Sequence, residues 1–140
     1  MPIVLTVGSF DILHIGHLYL LEECAKLGQV IVGLNTDEFI ERYKGKKPVM
    51  KYFERESMLY AQQSVYEVLE NTGCEDMTVL VDKVCPDYIV VGSDWLNKDY
   101  LKQTGLTTKY LEEMEISLVF VPRHFSISST EIKERIKNEA

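Results

Sequence analysis

The sequence predicts an α/β fold: a single domain, residues 1–140, built on a doubly wound parallel sheet of five strands. Three observations lead there. Short apolar runs of strand length alternate with segments whose apolar residues recur at helical spacing, the signature of βαβ units with helices on both sheet faces. The runs halt at residues that break a strand, among them Gly8, Gly92 and Pro122. The length of 140 residues suits one domain, and the chain carries no internal repeat, low-complexity tract or linker.

The elements follow in order. Residues 3–7 are an apolar run closed by Gly8, the pattern of a strand buried on both faces. Residues 17–27 repeat apolar positions at helical spacing through Leu18, Leu21 and Ala25, and Gly28 stops them. A second buried strand spans 30–34, and 38–43 make one or two helical turns before Gly45 and Pro48 interrupt the chain. Residues 52–63 read as a helix and 66–69 as a strand. The helix over 77–84 ends at Cys85-Pro86, because a residue before proline avoids right-handed helical geometry. Residues 88–91 form a strand, and short helices at 98–102 and 109–114 flank Gly105. The fifth strand covers 116–121. The last helix opens at Ser128, where Ser128-x-x-Glu131 is a capping box, and runs to about residue 137.

Composition narrows the partners. A formal net charge of −7 argues against a broad grip on nucleic acid, so any phosphate binding must use local positive charge. No apolar run approaches the ~18 residues of a membrane span, and the first residues run into a strand without a basic leader. The cysteines Cys24, Cys74 and Cys85 are odd in number and show no C-x-x-C spacing, which suits reduced thiols in the cytoplasm.

In an open parallel sheet the ligand lies beyond the carboxyl ends of the strands. Three features fall there. Residues 8–17 read G-S-F-D-I-L-H-I-G-H after the first strand. Gly8 and Gly16 let backbone approach a phosphate, and the following helix start presents unpaired N–H groups. His14 and His17, three apart, face one side and can donate to phosphate oxygens; they also fit two structural histidines. As a zinc site the pair lacks a third ligand nearby, so no metal is assigned to the protein itself. After the fifth strand, Arg123 and the hydroxyls of Ser126, Ser128, Ser129 and Thr130 surround a helix start. Capping needs one hydroxyl; an arginine fork with several more suits terminal phosphates. The third feature is G-S-D-W, residues 92–95, after the fourth strand. Apart from these, Arg42, Lys44, Lys46, Lys47 and Lys51 make a basic island, either a solvated loop or an arm that folds over a polyphosphate.

With these residues the chain resembles the cytidylyltransferase-like nucleotidyltransferase family, and within it the glycerol-3-phosphate cytidylyltransferases. H-I-G-H is similar to the family's H-x-G-H signature, I-S-S-T at 127–130 to its second signature, and Arg123 to the arginine set before that one. Tyr52-x-x-Arg55 resembles a helix-start arginine of these enzymes, and G-S-D-W resembles their G-D-D-W, with Ser93 in place of the first aspartate. Residues 97–115 look longer than in the shortest of them.

The resemblance implies a Rossmann-like sheet of nucleotidyltransferase type with strand order 3-2-1-4-5. It implies transfer of CMP from CTP to a phosphorylated small alcohol, glycerol 3-phosphate being the best guess, with release of pyrophosphate. His14, His17, Lys44, Lys46 and Arg123 are then the catalytic set. Gly8, Ser9, Phe10, Gly16, Gly92, Asp94, Trp95, Ser128, Ser129 and Thr130 bind the nucleotide, and Asp11 and Arg55 serve the substrate. Mg2+ would ride on the triphosphate, and the family implies a homodimer. Phosphate-gripping motifs do not decide the base, so an ATP-dependent adenylyltransferase of the same superfamily stays in view, as does a non-catalytic nucleotide sensor. A flavodoxin-like redox protein shares only the architecture and leaves both signatures unexplained.

Overall fold

A computed structural model describes residues 1–73, 76–93, 100–122 and 127–139. Five strands form one sheet in the order β3-β2-β1-β4-β5. They are β1 (Ile3–Gly8), β2 (Gln29–Asn35), β3 (Val65–Asn71), β4 (Tyr88–Gly92) and β5 (Ser117–Val121), and every pairing is parallel. The helices are α1 (Ile15–Leu27), α2 (Asp37–Lys44), α3 (Tyr52–Tyr60), α4 (Thr78–Val84), α5 (Tyr100–Thr104), α6 (Thr108–Glu113) and α7 (Ser129–Glu139).

Strand alternation sorts the core into two layers. Leu5, Ile31, Ile89 and Val91 pack with Leu80, Val81 and Leu111 of α4 and α6. Their neighbours Val4, Val30, Val32 and Val90 face the other way, onto Leu21 and Cys24 of α1 and Leu59 of α3. Burial pushes the Cys24 thiol up to about 12, so it serves as a small apolar side chain. The chain leaves β1 towards β2 and β3, then crosses back to β4 and β5. The switch point therefore lies between β1 and β4, where ligands of such sheets bind.

Most boundaries fall within one residue of where the sequence puts them, and the larger differences have local causes. Helix α1 starts two residues before the expected position, because His14 itself is the N-cap. Helix α2 runs two full turns between the Thr36 hydroxyl, which accepts from Phe39 N–H at 3.2 Å, and Gly45 in the left-handed conformation (φ 79°). Helix α3 ends at Tyr60 rather than 63; two tight turns, Gln62 N–H to Leu59 O and Val65 N–H to Gln62 O, lead straight into β3. Strand β3 reaches Asn71, whose buried amide donates to Asn35 Oδ1 at 2.9 Å. Cys85 leaves the right-handed helix as a residue before proline must, but into the left-handed region (φ 50°) instead of an extended one. Helix α5 lies two residues later than expected, with Tyr100 and Thr104 buried, and its predicted residues Lys98 and Asp99 lie outside the described residues. At α7 half of the expected capping box forms. Ser128 Oγ accepts from Glu131 N–H at 3.1 Å, while the Glu131 carboxylate turns along the helix to Arg135 at 2.9 Å.

Gly28 closes α1 against the N-terminal segment. A Cβ there would stand 2.2 Å from the Pro2 carbonyl oxygen, a backbone atom that itself accepts from Gln29 N–H. Gly28→Ala is expected to destabilise the domain by about 1–3 kcal/mol through overpacking. Urea unfolding checks this: the midpoint falls while the slope stays as in the unaltered protein.

Candidate active site

A cavity of about 460 Å3 opens at the carboxyl ends of β1 and β4. Its floor is Gly8, Ser9 and Phe10 after β1, with Asn35 from β2 and Gly92 from β4. One wall is the start of α1, with His14, Gly16 and His17; facing it are Ser128, Ser129 and Thr130 at the start of α7. Lys44, Lys46 and Lys47 come over from the end of α2. Segments more than a hundred positions apart in sequence thus line one cavity.

The histidines are held by backbone. His14 Nδ1 accepts from Gly16 N–H at 3.1 Å, and His17 Nδ1 accepts from His14 N–H at 3.2 Å. The two rings stack with centroids 3.8 Å apart, and Phe10 packs against His17 at 5.2 Å. A ring nitrogen that accepts a hydrogen bond carries no proton, so each neutral imidazole keeps its proton on Nε2. The backbone thereby selects the tautomer in which Nε2 is the donor. Gly16 is required for this: a Cβ would stand 2.9 Å from His14 Cε1. The same Cβ position lies 3.5 Å from Ile127 Cγ2, which shows how closely the I-S-S-T segment approaches α1.

The loop between β1 and α1 is strained. Phe10 and Ile12 have φ of 49° and 53°, left-handed conformations that are costly for a side chain with a Cβ, above all a β-branched one. Two groups hold it. Arg55, fully buried, donates from Nε to Met50 O (2.9 Å), from Nη1 to Ser9 O (2.8 Å) and Asn35 O (2.9 Å), and pairs through Nη2 with Asp37 at 2.6 Å. Asp37 uses its other oxygen to accept from Tyr52 N–H at 3.3 Å, joining the starts of α2 and α3. The Asp11 carboxylate accepts from Val49 N–H (2.8 Å) and Met50 N–H (2.9 Å), and the Asp11 carbonyl accepts from the Ser129 hydroxyl. In this structure Asp11 and Arg55, expected at the substrate, spend these bonds on the frame of the site. Arg55 does not line the cavity, whereas Asp11 does.

Charge collects in the cavity. Lys44, Lys46, Lys47 and Lys133 line it together. Partial desolvation, then the nearby Lys133 and Lys46 charges, hold the Lys44 ammonium below the ordinary lysine range against an opposing pull from Asp11. Lys133 escaped the sequence reading, although it lies one helical turn beyond Ser129 on the same side of α7. Asn35 was also missed: its amide donates to Ser9 Oγ at 3.2 Å, and no motif marks a polar residue ending an apolar strand. Arg123, Asp94 and Trp95 lie outside the described residues. Among the described residues no group of three or more His, Cys, Asp or Glu gathers as a metal site.

Comparison with known proteins agrees with the geometry. The pattern of the cytidylyltransferase-like family matches residues 5–135. The chain is 38% identical over 136 residues to a glycerol-3-phosphate cytidylyltransferase of Bacillus spizizenii, covering 96% of each. It is 36% identical over 138 residues to the bifunctional protein HldE of Helicobacter hepaticus, of which it spans 27%. Among solved structures, a lipopolysaccharide core biosynthesis protein from Thermoplasma volcanium superposes with a TM-score of 0.74 at 28% identity, over 89% of this chain and 99% of that one.

Two variants test the frame. Arg55→Ala leaves three carbonyls and the Asp37 carboxylate without their donor, and is expected to lose about 3–5 kcal/mol of stability in chemical denaturation. Arg55→Lys recovers little of it, since an ammonium cannot reproduce the planar fork. Gly16→Ala is expected to leave the unfolding free energy within about 1 kcal/mol of the parent while displacing the His14 ring, a shift visible in its imidazole NMR resonances.

Proposed function

The chain belongs to the cytidylyltransferase-like family and is a nucleotidyltransferase, and on that premise we propose that it transfers CMP from CTP to glycerol 3-phosphate, giving CDP-glycerol and pyrophosphate. The observation that carries this reading is the single cavity that joins the H-I-G-H imidazoles, the lysine segment and the I-S-S-T hydroxyls. The similarity to glycerol-3-phosphate cytidylyltransferases along nearly the whole chain supports the base and the acceptor.

In this mechanism an oxygen of the acceptor phosphate attacks the α-phosphorus of CTP. A new P–O bond forms, the bond to the bridging oxygen breaks, and pyrophosphate leaves with its electron pair. The acceptor phosphate is already anionic at neutral pH, so no general base is needed. Alignment and charge stabilisation remain as the work of the protein. His14 and His17 donate from Nε2 to the α-phosphate and the bridging oxygen. Lys44 and Lys46 balance the charge that moves onto the leaving group, and Ser128, Ser129 and Thr130 receive the β- and γ-phosphates with Arg123. Gly8, Ser9, Phe10 and Gly92 form the floor on which the nucleotide lies, and Asp94 and Trp95 take the nucleotide or the acceptor. Magnesium enters as part of the substrate, carried on the triphosphate.

The same reading makes the protein a cytoplasmic homodimer. The exposed Phe53 and Tyr60 of α3 and Tyr66 of the edge strand β3 support a second copy on that side. No helix among the described residues is long and apolar enough to cross a membrane.

Pyrophosphate release measured with each of the four nucleoside triphosphates, against a panel of phosphorylated alcohols, tests the assignment. CTP with glycerol 3-phosphate is expected to be the fastest pair; faster turnover with ATP, or none with any acceptor, overturns it. His14→Ala and His17→Ala are each expected to keep the fold and lower kcat about a hundred- to a thousandfold, the usual effect of deleting one charge-stabilising donor. Near-normal turnover in both would remove the histidines from the mechanism.

A further inference from the structure

Residues 45–51 connect Lys44 at the end of α2 to Tyr52 at the start of α3; Gly45 and Lys51 bond to the flanking helices, and between them residues 49 and 50 are held by Asp11 and Arg55. Met50 is held from both sides: its N–H donates to Asp11, and its carbonyl accepts from Arg55. Val49 N–H takes the second Asp11 oxygen. Before this anchor the strap is open, with no atom within 4 Å of a Cβ built on Gly45. Lys44 ends α2, so that helix sets its backbone, while Lys46 lies on the strap that Arg55 and the Asp11 carboxylate, its side chain 9% exposed, hold at residues 49 and 50.

That carboxylate has a counter-ion on another element. Lys133 Nζ of α7 lies 3.5 Å from Asp11 Oδ2, with its own side chain 30% exposed. A pair with one buried partner, as here with Asp11, is screened less by solvent than an exposed one. This one faces a cavity that also holds Lys44 and Lys46. A carboxylate without Lys133 attracts the next cation, and Lys44 is the one whose charge already senses both Asp11 and Lys133.

We propose that Lys133 is a positioning residue of the transfer reaction: it neutralises the Asp11 carboxylate that anchors the 45–51 strap, and so keeps Lys44 and Lys46 turned to the phosphates instead of to Asp11. The proposal rests on the nucleotidyl-transfer reading. It adds a link between the phosphate end at α7 and the lysine strap, made through Asp11 from both sides, since the Ser129 hydroxyl also donates to the Asp11 carbonyl.

Lys133→Ala and Lys133→Arg in the full chain test it, with CTP kinetics and amide hydrogen exchange at Val49 and Met50 without ligand. In Lys133→Ala, kcat is expected to fall about ten- to a hundredfold with a smaller change in KM for CTP, as misplaced catalytic groups do. Exchange at the two anchored amides should quicken about tenfold in the same variant. Lys133→Arg should restore both to within about threefold, because its guanidinium keeps the charge beside Asp11. Unchanged exchange overturns the proposal, even if kcat falls, since Lys133 would then act on the phosphates directly. Faster exchange with unchanged kcat overturns it as well. A wild-type protein inactive on every triphosphate removes the premise, and that failure is visible before any variant is compared.

Discussion

The site depends on one buried cation. A guanidinium out of water is tolerated only when its N–H groups are bonded, and Arg55 spends four bonds on the ends of β1 and β2, the start of α2 and the segment before α3. The planar fork fixes the mutual positions of those backbones, because Nη1 serves Ser9 O and Asn35 O at once. Among the described residues every buried side-chain nitrogen and oxygen has a partner. The strained Phe10 and Ile12 conformations persist on this frame, since the chain on both sides of them is tied down.

Electrostatics in the cavity works against the resting molecule. The chain carries a net −7, yet among the described residues its cavity gathers several lysines around one carboxylate, Asp11. Desolvation, and then repulsion from Lys133 and Lys46, pulls the Lys44 ammonium below its usual range. The positive charge of the cavity is therefore local, set within an acidic chain.

At the start of α1 one pair of side chains does two jobs. His14 and His17 cap the helix through Nδ1, the task usually given to serine and glutamate, and the same bonds leave Nε2 as the donor. Folding the helix and setting the tautomer are therefore one event, and Gly16 is the residue whose missing Cβ makes room for it.

Much of this was legible in the sequence. Apolar runs closed by Gly8, Gly92 and Pro122 determined the strands, because a buried parallel strand must be apolar on both faces and end where the chain turns. The spacing of His14, His17 and the 128–130 hydroxyls marked them as candidates, since these are dense local motifs, and the structure brings them to one cavity. Tertiary structure decided the rest. Whether Arg55 and Asp11 meet ligand or frame depends on backbone groups of Ser9, Asn35, Val49 and Met50, which carry no side-chain signature. Lys133 is one of two lysines on α7, and only the packing of that helix beside the β1–α1 loop brings it to Asp11. A motif records what a residue can do; the partner it meets is set by chain segments far away in sequence.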